Sequence, residues 1–190
     1  MREIRVGDLE TLRALAHPLR MRLLVALRLE GPATASELGR KFGESSGATS
    51  YHLRQLHRYG FVEDDDGQPS RRERRWRAAQ EWTSLAVTDF LYDPAGRSAL
   101  RVMERERLEF IVRLMQAWYA ERATWPREWT EATVDSDARL WLRIGELEAL
   151  RADLGTLLRD YAGRQAAPGD PDAAPVYVVL EALPVRELPL

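Results

Sequence analysis

Apolar residues recur at helical spacing through the first sixty positions, and polar or glycine punctuation separates each run from the next. Asp8 stands before Leu9, Leu12 and Ala16, which predicts a helix capped by its carboxylate. From Pro18 to Glu30 the apolar positions Leu19, Leu23, Leu24 and Leu27 make one stripe. Pro18 suits the first helical position, where a missing N–H costs nothing, and Gly31-Pro32 ends the run. Thr34 followed by Glu37 is a capping box, opening a short helix that turns Leu38 and Phe42 inward. Gly43-Glu44 makes a turn, and Ser45 or Ser46 caps a second helix that runs to Tyr59, where Gly60 supplies the left-handed terminating residue. Two helices joined by a short glycine-containing turn form a helix-turn-helix.

The pattern then changes. Phe61-Val62-Glu63 predicts a strand, DDDGQPSRR a turn, and Glu73 to Ala79 a returning strand with Trp76 as its one large apolar side chain. A hairpin in that place is a wing. Residues 80–93 connect it to a long helix capped by Asp93, with Pro94 at its first position, that continues to about Arg122 until Trp125-Pro126 breaks it. Beyond it, TEATVDSDARLWLRI alternates around a polar turn like a hairpin, Glu146 to Ala162 is an amphipathic helix carrying Leu147, Leu150, Leu154, Leu157 and Leu158, and VYVVLEAL predicts a strand. The expected fold is mainly α with small β: a winged helix-turn-helix DNA-binding domain over residues 1–80, a connector over 81–93, a dimerisation helix over 94–122 and a small C-terminal α+β module over 123–190.

Composition narrows the function classes. Hydrophobic residues make up 45% of the chain and charged residues 31%, which suits a folded globular protein. There is no cysteine, so disulfides and thiolate metal sites are excluded. No eighteen-residue apolar run and no signal-peptide pattern occur, so the expected compartment is the cytoplasm, with no membrane partner. The net charge of −2 hides an asymmetry. Residues 1–80 hold 15 basic and 11 acidic side chains, a net of +4, whereas residues 81–190 hold 13 and 19, a net of −6. A basic head on an acidic body is what a nucleic-acid reader would show.

The second helix of the motif divides cleanly at 100° per residue. Thr49, Leu53 and Leu56 fall on one side as a buried stripe, and Gly47, Tyr51, Arg54, Gln55 and Arg58 on the other, with no negative charge among them. A helix lying in the major groove sets its N-terminal half against base edges, which nominates Ser46, Gly47, Ser50, Tyr51 and Arg54 as readers and Arg58, a turn later, as a phosphate contact. A lone helix of this kind would more simply be a solvated face on a core helix, but the capped helix before it and the wing after it favour recognition. Arg71, Arg72, Arg74, Arg75 and Arg77 crowd the wing around Trp76. Their mutual repulsion is relieved against phosphates, or else they guard an exposed edge. Asp64, Asp65 and Asp66 either neutralise part of this patch or sit away from it at the hairpin base.

Residues 9–79 resemble the ArsR-like family of bacterial winged helix-turn-helix regulators. The likeness rests on LRALAHPLRMRLLVAL, TASELGRKFGESSGATSYHLRQLHRYGFVE and RRERRWRA, and most specifically on Ala16-His17-Pro18-Leu19-Arg20, Ser50-x-His52-Leu53-x-x-Leu56 and Gly60-Phe61-Val62. The resemblance implies a homodimer on a roughly palindromic double-stranded operator, usually as a repressor. Metal-sensing members carry cysteines on the first helix of the motif or His/Asp/Glu sets on the later dimer helix. Here Leu38-Gly39-Arg40 occupies the first place and no histidine lies beyond His57, so no metal site and no cofactor are expected. His52 and His57, five apart, share no helix face, and His17 beside Pro18 suits a cap or a packing role.

Gly43-Glu44-Ser45-Ser46-Gly47 matches G-x-S-x-G, but a nucleophile elbow needs a strand before it and a histidine late in the chain, and both are missing from the pattern. An enzyme is not expected. On the long helix Leu108, Ile111, Met115 and Trp118 form one apolar stripe, and Leu100, Met103, Phe110 and Leu114 a second, so the helix needs two partners: its own core and a second subunit. Trp118, Trp125, Trp129 and Trp141 either pack a core or line a pocket for an unknown small-molecule effector. The leading function is operator binding as a homodimer. The rival is a winged-helix protein-interaction module that no longer binds DNA.

Overall fold

A computed structural model describes residues 3–65, 74–80, 82–166 and 170–187. The chain divides into two compact units, Met1–Val112 and Arg113–Leu190. Its order is β1 (Glu3–Val6), α1 (Leu9–Leu15), α2 (Pro18–Leu29), β2 (Ala33–Thr34), α3 (Ala35–Phe42), α4 (Ser46–Arg58), β3 (Val62–Asp64), β4 (Arg75–Ala78), β5 (Trp82–Leu85), α5 (Thr88–Leu91), α6 (Pro94–Glu121), a 3-10 turn (Arg122–Thr124), α7 (Arg127–Glu131) and α8 (Ile144–Ala162). The molecule is mainly helical with few, short strands, and its N-terminal part is a winged helix-turn-helix.

Local chemistry sets the boundaries. Asp8 accepts from the Thr11 N–H at 2.8 Å and caps α1. His17 caps α2 through Nδ1, which accepts from the Leu19 N–H at 3.2 Å, with Pro18 at the first position. Thr34 and Glu37 close the capping box of α3 in both directions, at 3.2 and 2.7 Å. Ser45, not Ser46, caps α4. Gly43 and Gly60 adopt φ of 69° and 74°, so α3 and α4 end in the conformation that only glycine enters without a Cβ penalty. Asp93 accepts from the Gly96 N–H at 2.5 Å at the start of α6.

In the first unit, β3 and β4 pair antiparallel as the wing, with Glu63 opposite Arg77 and Asp64 opposite Trp76. Two pairings do not appear in the local pattern. β2 adds to the far side of β4, placing Ala33 opposite Trp76 and Thr34 opposite Arg75, so that the wing sheet has three strands in the order β2-β4-β3. β1 runs parallel to β5, with Ile4 beside Thr83. The core gathers Leu12, Leu23, Leu53, Leu56, Phe61 and Trp76, each at most 2% exposed. From α6 it takes Gly96, Ala99, Leu100 and Met103.

The second unit departs from expectation. Its described residues hold helices and no strand: the hairpin expected over TEATVDSDARLWLRI begins in α7, continues outside any helix or strand and ends at the first residue of α8, and VYVVLEAL lies outside any helix or strand too. Alternating apolar residues satisfy only half of what a strand requires. The other half is a partner edge for the backbone N–H and C=O groups, and no strand pairing is assigned among the described residues of this unit. On α8, Leu147, Leu150, Leu154 and Leu158 are half-buried and Leu157 is exposed. Trp118, Trp125 and Trp129 form a chain of tilted rings with centroids 6.3 and 5.9 Å apart, whereas Trp141 is exposed.

Candidate nucleic-acid interface

The face of α4 turns as its periodicity dictates. Thr49, Leu53 and Leu56 are fully buried, and Ser46, Gly47, Tyr51, Arg54 and Arg58 are exposed, with Ser50 half-buried between the two sides. Thr49 satisfies its buried hydroxyl by donating to the Ser45 carbonyl at 3.0 Å. Arg54 donates from Nη2 to the Ser50 Oγ at 3.0 Å, one helical turn back, so the guanidinium lies along the exposed face. Arg58 sits over the Tyr59 ring at the far end of the helix.

Four residues of this face form one wall of a cleft of about 470 Å³. Ser46, Gly47, Ser50 and Arg54 come from α4, Thr34, Ala35 and Ser36 from the start of α3, and Arg74 and Trp76 from the wing. The lining is hydroxyls, two guanidiniums and one indole, with no carboxylate. Five of the ten residues nominated from sequence therefore meet in one place. Tyr51 and Arg58 lie on α4 outside the lining, and Arg75 lies on β4 outside it. Arg71 and Arg72 lie outside the described residues. The sequence pattern missed Thr34, Ala35 and Ser36 as cleft residues; the capping box had marked only where their helix begins.

The described part of the wing is less positive than its arginines suggest. Arg74 forks onto Asp64, Arg77 pairs with Glu63 at 2.9 Å, and Arg75 lies 3.8 Å from Asp65 while also donating to the Pro32 carbonyl at 2.5 Å. Of the two roles open to the acidic run, Asp64 and Asp65 take the neutralising one; Asp66 lies outside the described residues. The Arg74 hydrogen bonds hold the Asp64 carboxyl below the usual carboxylate range. Arg74 also stacks on Trp76, its guanidinium carbon 3.9 Å from the ring centroid.

Behind α4, His17 and His52 meet with ring centroids 4.4 Å apart, a contact that spacing along the chain does not reveal. Burial pushes both imidazoles below the ordinary histidine range. Among the described residues no group of three or more His, Cys, Asp or Glu is arranged to hold a metal ion, and no helix is long and apolar enough to cross a membrane. The segment before Gly43 is the helix α3, not the strand that a nucleophile elbow requires.

Residues 15–65 match the family model of a helix-turn-helix domain. The match runs from the end of α1 through the first strand of the wing and includes every α3 and α4 residue of the cleft. No curated protein matches the chain. Among solved structures, a mutant of Lactococcus lactis ZitR in apo form is 13% identical, over 77% of this chain and 83% of that one, with a TM-score of 0.34. The transcriptional regulator Tm0710 from Thermotoga maritima is 14% identical, over 77% and 79%, with a TM-score of 0.32. RV1404 from Mycobacterium tuberculosis is 16% identical, over 85% and 84%, with a TM-score of 0.31. Scores this low carry no argument about this chain.

Proposed function

We propose that this helix-turn-helix protein is a sequence-specific DNA-binding transcriptional regulator of the ArsR-like kind. On this reading it acts in the cytoplasm as a homodimer and a repressor, on a roughly palindromic operator and without metal response. One observation carries the reading: the cleft joins the N-terminal half of α4 to the start of α3 and to the wing, and everything lining it is neutral or cationic. B-DNA's major groove, about 12 Å wide, admits a helix and offers acceptors to an arginine fork, while serines and free helix N–H groups take phosphate oxygens. Ser46, Gly47, Ser50, Tyr51 and Arg54 would face base edges, and Arg58, Arg71, Arg72 and Arg75 the backbone. The dimer would form along Leu108, Ile111, Met115 and Trp118 of α6, and the tryptophans of the second unit would be the place for an effector, if one binds.

Selection of bound duplexes from a random DNA library by the full chain tests this. The expected result is one enriched motif of two half-sites, centred about one helical turn or a multiple apart. The ion pairs that neutralise the wing favour the rival, a protein-interaction module without DNA binding. Recovery of no motif, with weak binding to every duplex, would establish that rival and overturn the proposal.

A further inference from the structure

We infer that Asp64 is a positioning residue that determines specificity: it fixes Arg74 at the edge of the cleft as a directed hydrogen-bond donor to DNA, in place of a general phosphate clamp. The inference rests on the DNA-binding reading above.

Arg74 is constrained on two sides. Its Nε and Nη2 donate to the two oxygens of Asp64, the second at 2.7 Å, and the guanidinium carbon sits over the Trp76 ring. Neither support is loose. Asp64 is held in the β3–β4 register directly opposite Trp76. Trp76 is 2% exposed, is flanked on its other side by Ala33 of β2, and meets the edge of His57 from α4. The fork uses two of the five guanidinium N–H donors. Three remain, two of them on Nη1, and no other acceptor among the described residues takes them. Across the cleft Arg54 is tied back to Ser50. Two guanidiniums, one from the helix and one from the wing, are thus each fixed by a neighbour and share one lining.

The carboxylate changes what Arg74 can do. An unpaired wing arginine gains from any phosphate by releasing counterions, whatever the sequence. A carboxylate in contact offsets that charge at distances greater than the separation of the pair, while the remaining N–H donors keep their short-range, orientation-dependent bonds. Arg77 and Arg75 also have carboxylates beside them, but neither lines the cleft. Among the described wing arginines, only for Arg74 does pairing coincide with aim.

The test compares Asp64→Asn, Asp64→Glu and Arg74→Ala with the unmodified chain, on the selected operator and on a random duplex of equal length at several salt concentrations. Asp64→Asn should tighten binding to random DNA several-fold and steepen its salt dependence by about 0.9 in slope, one added phosphate contact. Operator affinity should change less than about twofold, so discrimination falls; a bidentate contact of this kind is worth about tenfold. Asp64→Glu should restore most of the discrimination, and Arg74→Ala should weaken the operator far more than random DNA. Asp64 is exposed and asparagine is its isostere, and thermal unfolding followed by circular dichroism checks that each variant remains folded. If Asp64→Asn moves both DNAs by one factor or neither, or Arg74→Ala weakens both alike, while the unmodified chain still selects a motif, the inference alone is overturned. If the unmodified chain selects no motif, the DNA-binding reading fails and the inference with it.

Discussion

His17 and His52 touch although helix and turn separate them in the chain, and the contact ties the packing of α4 to pH. Burial is the main cause that lowers both. Arg20 and Arg22 on α2 push His17 the same way, His17 and Arg20 do so for His52, and Glu44 of the turn opposes both. His17 also needs an unprotonated Nδ1 to cap α2, and the Nδ1 of His52 is buried with no partner among the described residues. A folded pKa below the unfolded value of 6.5 means that the unfolded chain takes the proton first. The stability from this pair is therefore complete above that value and is lost as pH falls below it. Urea unfolding between about pH 8 and 5.5 should show a falling midpoint in the unmodified chain and a flatter one in His17→Asn, because asparagine caps without titrating. An equal slope in both would contradict this. Asp8 and Glu37, whose backbone hydrogen bonds hold them below the carboxylate range, act in a lower window and lose their contribution only as pH falls through their folded values. Arg54 makes a second prediction at this scale. Its replacement by alanine should cost about 1–3 kcal/mol on the selected operator and much less on random DNA, measured by titration. Equal losses would make it a clamp.

Helix α3 meets α4 through Gly39. A Cβ built there would lie 2.9 Å from the Glu44 carbonyl oxygen and 3.3 Å from Thr49 Oγ1. The first obstacle is backbone at the turn and cannot swing aside, so Gly39→Ala should destabilise by about 1–3 kcal/mol in urea unfolding. Gly47 on α4 has only Ser45 Oγ, at 4.0 Å, near a built Cβ. Gly47→Ala should leave stability unchanged or slightly raised, since alanine costs less backbone entropy, while disturbing the proposed DNA face. If both changes cost the same, close approach is not what Gly39 serves. Elements of this size were legible where their chemistry is local. Asp8, Thr34 with Glu37, Gly43, Gly60 and Asp93 announce their boundaries, and the periodicity of α4 separates Thr49 and Leu53 from Tyr51 and Arg54. What was not legible depends on distant partners. β1 and β5 are four residues each and become strands only by pairing with each other; β2 is two residues added to β4. In the second unit the pattern promised strands, and none is assigned among its described residues. The site followed the same division: α4 could be read one residue at a time, but the pairing of Arg74 with Asp64 required the register of the wing.

Among the described residues the buried hydrophobic side chains all lie between Val6 and Met103, and beyond them much apolar surface is exposed. On α6, Leu108 is 63% exposed and Val112, Met115 and Tyr119 are each 45–46% exposed. Their spacing of four, three and four residues makes one continuous stripe, flanked by half-buried Ile111 and Trp118. The sequence stripe of Leu108, Ile111, Met115 and Trp118 lies slightly to one side of it, because periodicity locates an apolar arc but not the part of it that the chain's own packing leaves uncovered. A stripe with heptad spacing suits a second copy of the same helix, and a dimer would present two α4 helices to two half-sites. Met115→Glu sets a charge into that seam at a residue that is 46% exposed. Sedimentation should then show a dimer for the unmodified chain at micromolar concentration and a monomer for the variant. Because binding of two half-sites is linked through the dimer, affinity for a full operator should fall by more than about tenfold, whereas affinity for a duplex carrying one half-site should stay within about twofold. A variant that sediments as a dimer, or a monomer that keeps full operator affinity, would remove α6 from the proposed assembly. A loss on the half-site equal to that on the full operator would instead mean that the substitution damages the reading head itself.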